Sequence, residues 1–140
     1  GRDNFRTTLD VGNFLCVDED PEIGTLNNIR FASHVHFKDF HIHHDPPVKD
    51  GYIKTAHGRY IRGAVTGDGD VKLDAIVKII KASGYKGFLS IEYEGWDECR
   101  SACASSPRVK GLRNSATSGS AGLCAGRKSC PLISKMDNFG

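Results

Sequence analysis

The chain has 140 residues, 39% of them apolar and 26% charged, with a net charge of +2. Those totals suit one soluble domain with a modest core. They argue against nucleic acid or an anionic membrane surface as a partner, and no apolar run approaches the roughly 20 residues of a membrane span. Five cysteines, Cys16, Cys99, Cys103, Cys124 and Cys130, form an odd set without a C-x-x-C pair. Reduced thiols in a cytoplasmic protein are therefore expected, rather than a disulfide framework or a structural zinc site. The chain opens at Gly1 with no signal peptide, and reads as lacking its natural N-terminus.

In chain order, residues 5–11 are rich in Thr and Val and predict a first strand, broken by Gly12-Asn13. Asp18-Glu19-Asp20-Pro21-Glu22 reads as a helix start, with acids in the first turn and Pro just inside. Gly24 and Asn27-Asn28 interrupt this helix, which is therefore expected to be short. Residues 32–38 predict a second strand, with His34, His36 and Lys38 on one face and Val35, Phe37 and Asp39 on the other. Pro46-Pro47, Asp50-Gly51, Gly63 and Gly67-Asp68-Gly69-Asp70 make 40–70 a long loop. The clearest helix spans 72–83, where Leu73, Ile76, Val77 and Ile80 form an apolar stripe and Gly84 stands at the C′ position. A third strand at 87–93 comes after a short turn, the αβ half of a βαβ unit and hence a parallel sheet. A last helix from Trp96 to about Leu112 is broken by Pro107. Residues 115–140 are small and polar without periodicity, and read as a disordered or poorly specified tail after a domain at 1–114.

Asp10, His36 and Glu92 stand near the ends of the three strand-like runs. Two carboxylates and an imidazole make a hard-to-borderline divalent-metal set. Each has a second reading. Asp10 can cap the turn after its strand, and His36 can be a hydrogen-bonded core histidine. The polar neighbours His34 and Lys38 on the same face weigh against the latter, because such groups need water or a ligand. Glu92 shares its face with Glu94, and two inward carboxylates favour a cation between them. Glu94 also reads as a solvated loop residue. Lys38 can hold a substrate oxygen or pair with a carboxylate. His41, His43 and His44 read as solvated. Lys49, Lys54, His57, Arg59 and Arg62 either hold an anionic substrate group or form a solvated basic loop.

Four runs, Leu9-Asp10-Val11-Gly12-Asn13, His34-Val35-His36-Phe37-Lys38-Asp39, Gly67-Asp68-Gly69-Asp70-Val71 and Ser83 through Glu92, occur in that order. Together they resemble the last three strands of the xylose-isomerase-like TIM barrels, the sugar phosphate isomerase/epimerase superfamily. The resemblance implies an α/β fold: the C-terminal portion of a TIM (β/α)8 barrel, about three parallel strands with helices, incomplete on its own because eight strands close a barrel. It implies a divalent cofactor (Mn²⁺, Mg²⁺, Co²⁺ or Zn²⁺), with Asp10, His36 and Glu92 as ligands. It also implies a sugar or sugar-derived substrate, isomerised or epimerised through a cis-enediol. Glu92 and Lys38 are then the catalytic candidates, and His34, Asn13 and Arg59 the substrate-binding ones. The family's first Glu ligand, from an earlier strand, has no counterpart here. Asn13 stands where some epimerases carry a His, and Ile42 where they carry an Arg. The alternatives are a non-catalytic metal- or ligand-binding fragment that assembles with another chain, and a non-functional gene fragment. Exposed sheet edges make self-association an expectation.

Overall fold

The structure is a computed structural model that describes residues 4–48 and 50–96, together with the backbone of 132–135. Its first sheet is built from β1 (Thr7–Asp10), β2 (Ala32–Phe37), β6 (Phe88–Ile91) and β7 (Leu132–Lys135), in the order β1-β2-β6-β7. The first three strands are parallel, and their register sets Asp10 beside His36 and His36 beside Ser90. Leu9, Val35 and Leu89 lie side by side on the opposite face and are buried. Among the described residues the sheet is open and does not close on itself.

Helix α2 packs on the apolar face, and α1 lies against α2. In α1 (Pro21–Asn28), the Asp20 carboxylate accepts from the Glu22 and Ile23 amides at 2.8 and 3.1 Å, and Pro21 occupies the first turn, where a missing N–H costs nothing. Gly24 does not interrupt this helix. It lets the Phe14 ring close in, since a β-carbon there would lie 2.6 Å from ring atoms. In α2 (Leu73–Ala82), Leu73, Ile76 and Ile80 are buried in one cluster with the sheet residues Leu9, Val35 and Ile91. That is the packing expected of the stripe. Gly84 comes next at φ +72°, the left-handed geometry that ends helices. Lys72, which does not cap α2 with its side chain, reaches Glu22 Oε1 at 3.1 Å and ties the two helices together.

One sequence expectation needs correction. Residues 40–70 are not a structureless loop. They contain β3 (Asp39–His43), β4 (Ile53–Lys54) and β5 (Tyr60–Ala64), an antiparallel sheet in the order β3-β5-β4. Its ladder pairs Ile42 and Ile53 with Ile61, residues too far apart in sequence for turn signals to reveal. The chain leaves the first sheet after Phe37 and enters the second at Asp39, so Lys38 is the corner between them. Within 115–140 the described backbone is β7, which pairs antiparallel with β6, whose outer edge offers backbone groups to pair. The rest of 115–140, the helix expected from Trp96 onward and four of the cysteines lie outside the described residues, apart from Trp96 itself.

The corner is held from below by a buried carboxylate. Asp39 accepts from the amides of Phe40 (2.9 Å), Gly67 (2.9 Å), Gly69 (3.0 Å) and Val71 (3.1 Å). The glycines of 67–70 therefore wrap an acid, which is why that run is bent. Among the described residues, no helix is long and apolar enough to cross a membrane.

Candidate functional site

Asp10 ends β1, and its two oxygens do different work. Oδ1 accepts from the Gly12 and Asn13 amides at 3.0 and 3.1 Å and so caps the turn. Oδ2 faces Lys38 Nζ at 3.1 Å. The capping reading of Asp10 is thus observed, while its second oxygen is turned to the Lys38 ammonium. His36, one strand over, sets Nδ1 at 3.1 Å from Glu92 Oε2. Glu92 lies just past β6, fixed there by its N–H bond to the Phe37 carbonyl at 2.9 Å. One ligand atom from each of Asp10, His36 and Glu92 lies within 4.8 Å of the others.

Lys38 sits among these groups. Its side chain is 4% exposed, and Nζ lies 3.0 Å from Glu92 Oε2, 3.2 Å from Glu94 Oε2 and 3.3 Å from Asn13 Oδ1, besides Asp10. It pairs with carboxylates, one of the two roles its sequence context allows. Burial opposes its charge, but the Asp10 carboxylate and the hydrogen bonds to Glu92 and Asp10 outweigh that and hold the amine above its ordinary range.

The two carboxyl groups are pushed apart. Burial lifts Asp10 above the usual range, and the Lys38 ammonium only partly offsets it. Burial also acts upward on Glu92, but hydrogen bonds and charge from Lys38, then bonds to His36 and Asp10, bring it below the usual range. Glu92 is therefore the better-stabilised anion of the pair.

The donor set suits a divalent ion. Two carboxylates and an imidazole converge, and three carboxyl groups face one ammonium, so the cluster has negative charge to spare. Asp10, His36 and Glu92 would hold the ion, with further positions left to substrate oxygens or another carboxylate.

The remaining candidates divide. Asn13 is in the cluster through Lys38. His34 lies beside it: its Nε2 is 2.8 Å from Ser90 Oγ, and its ring meets the His36 ring edge-on at 4.9 Å. Burial, then the neighbouring His36, lowers its affinity for a proton. Arg59 is elsewhere. Its Nε donates to Asp18 Oδ1 at 2.5 Å, and it lines a cavity of about 330 Å³ with Asp18, Ile42, Asp70 and Lys72, which none of the cluster residues line. The sequence left Arg59 either holding an anionic substrate group or in a solvated basic loop; in the structure it pairs with Asp18, onto which the 55–59 turn folds back. His57 joins it there through its backbone amide. His41, His43 and His44 are all exposed at the rim of the second sheet, in keeping with solvated side chains.

Glu94 is an exposed loop residue, as expected, and its carboxylate also reaches Lys38. The inward alternation Ser90, Glu92, Glu94 is the signal for it. Ser90 as the partner of His34 has no sequence signal, since it depends on β2 and β6 being neighbours.

A family model described as xylose isomerase-like TIM barrel matches residues 1–116. No curated protein matches the chain significantly.

Proposed function

Because the chain belongs to the xylose isomerase-like TIM-barrel family, we propose that it contributes the Asp10–His36–Glu92 side of a metal-dependent sugar, or sugar phosphate, isomerase or epimerase. The observation that carries this reading is the convergence of those three side chains at the ends of parallel strands. Active sites of this fold gather at that end of the barrel.

When bound, a divalent ion supplies Lewis-acid polarisation of the substrate carbonyl. The chain's own residues do the rest. Glu92, kept ionised by Lys38, takes the proton from the carbon next to the carbonyl, leaving a cis-enediolate. Return of the proton to the other carbon isomerises, and return to the opposite face epimerises. Lys38 and Asn13 present an ammonium and an amide to substrate oxygens, and His34 flanks the site through Ser90.

The open sheet favours a second, compatible reading: a site completed by strands from additional polypeptide, which would supply a second carboxylate and exclude water. The 140-residue chain is then expected to bind metal but turn over negligibly. The test is single-turnover exchange of the substrate's carbon-bound proton with Mn²⁺ or Mg²⁺, using the chain alone and joined to the N-terminal half of a barrel from the same family. The joined protein should exchange the proton, and Glu92→Gln should abolish most of that exchange. Equal exchange by Glu92→Gln would remove Glu92 as the base, and full turnover by the chain alone would refute the need for further strands.

A further inference from the structure

The cluster's ammonium and the proposed metal draw on the same oxygens. Lys38 Nζ already holds Asp10 Oδ2 at 3.1 Å and Glu92 Oε2 at 3.0 Å, and that Glu92 oxygen also bonds His36 Nδ1. These are contacts to the three residues that form the metal-type group. We propose that Lys38 is a built-in counterion that competes with the metal: it gathers Asp10, Glu92 and His36 in the metal-free protein, and yields their oxygens by moving toward Glu94 and Asn13 when the ion binds. This rests on the metal reading above.

Three carboxyl groups turned toward one point repel unless a cation sits among them. Lys38 supplies that cation from within the fold, and its near-complete burial leaves little water to take over the role. A dication at the same oxygens would repel the ammonium strongly in a half-buried site. Glu94 is the retreat. It is not one of the three converging donors, its side chain is 45% exposed, and Oε2 is already 3.2 Å from Nζ. Asn13 Oδ1, at 3.3 Å, is a second acceptor. The lysine stem is flexible, so a small rotation transfers its hydrogen bonds without moving the backbone corner.

The consequence has a sign that a plain structural role does not share. Lys38 should hold the metal-free site together and yet weaken metal binding. Mn²⁺ affinity is measured by calorimetry, with paramagnetic resonance as a check, on the 140-residue chain and on Lys38→Met, Lys38→Arg and His36→Ala. Lys38→Met, which keeps length and loses charge, should bind Mn²⁺ roughly tenfold tighter or more and melt at lower temperature without metal. Lys38→Arg should bind no tighter than the parent, and His36→Ala should lose binding. Parent-like or weaker binding by Lys38→Met would overturn the proposal while leaving the metal reading intact. Absence of binding by both the parent and Lys38→Met would overturn both. If Lys38→Met is unfolded without metal, recovery of its circular dichroism by Mn²⁺ supports the proposal, and failure to recover overturns it.

Discussion

Gly12 lies against the backbone of Lys38. A β-carbon at position 12 would come within 2.7 Å of the Lys38 carbonyl oxygen and 2.9 Å of its Cβ. The turn capped by Asp10 therefore packs directly on the corner that carries the cluster's ammonium, and only glycine permits it. Gly12→Ala is expected to destabilise the fold by about 1–3 kcal/mol, as overpacking does, with a matching fall in the urea midpoint. An unchanged midpoint would mean that the two segments are not in contact.

Asp39 anchors the other side of that corner. Its 1% exposed carboxylate serves four amides. Asp39→Ala strands those donors, and at about 1–3 kcal/mol for a buried unsatisfied group the loss should exceed that of an average surface substitution several-fold. Hydrogen exchange should accelerate at Gly67, Gly69 and Val71 in particular. Protection retained at those three amides would show that the carboxylate is not what holds the 67–71 segment.

Asp18 predicts an acid-dependent stability. Burial acts to raise its carboxyl, but hydrogen bonds from the His57 amide and Arg59, together with the Arg59 charge, bring it down to about 2. A carboxyl whose folded value lies below its unfolded one stabilises the fold at all pH above the unfolded value, near 3.8, and loses that contribution as pH falls toward 2. Urea midpoints between about pH 5 and pH 2 should fall more steeply for the parent than for Asp18→Asn. Parallel profiles would show that Asp18 carries no such linkage.

The apolar stripe of α2 gives a contrast within one helix. Ile76 is fully buried in the core and Lys78 is off the stripe. Ile76→Ala should cost about 2–5 kcal/mol, from lost transfer energy plus a cavity. Lys78→Ala should stay within about 0.5 kcal/mol. Equal effects in thermal melts would mean that α2 does not pack on the sheet through this face.

The range of each interaction sets how much of it is legible in the sequence. The α2 stripe, Pro21 at the start of α1 and Gly84 at the end of α2 depend on spacings of a few residues, so the residues themselves announce them. Period-two alternation likewise separates Val35 and Phe37 from His34 and His36. Residue type and strand-end position suggest Asp10, His36 and Glu92 as one donor set, but nothing local states that their strands are neighbours.

Tertiary structure decided the rest, because it depends on groups far apart in the chain meeting across strands. The antiparallel β3-β5-β4 sheet is hidden in the sequence because its ladder joins residues separated by glycine- and proline-rich turns. Arg59 and Lys38 are both cations in polar surroundings, and sequence does not distinguish them. The fold places Arg59 on Asp18, where a turn folds back, and Lys38 at the corner between two sheets, where Asp10, Glu92 and Glu94 converge. The sequence by itself determined which side chains were available and which face of each strand they occupy; the neighbour relations of β1, β2 and β6 decided which charges meet, because Coulomb energy depends on distance in space and not along the chain.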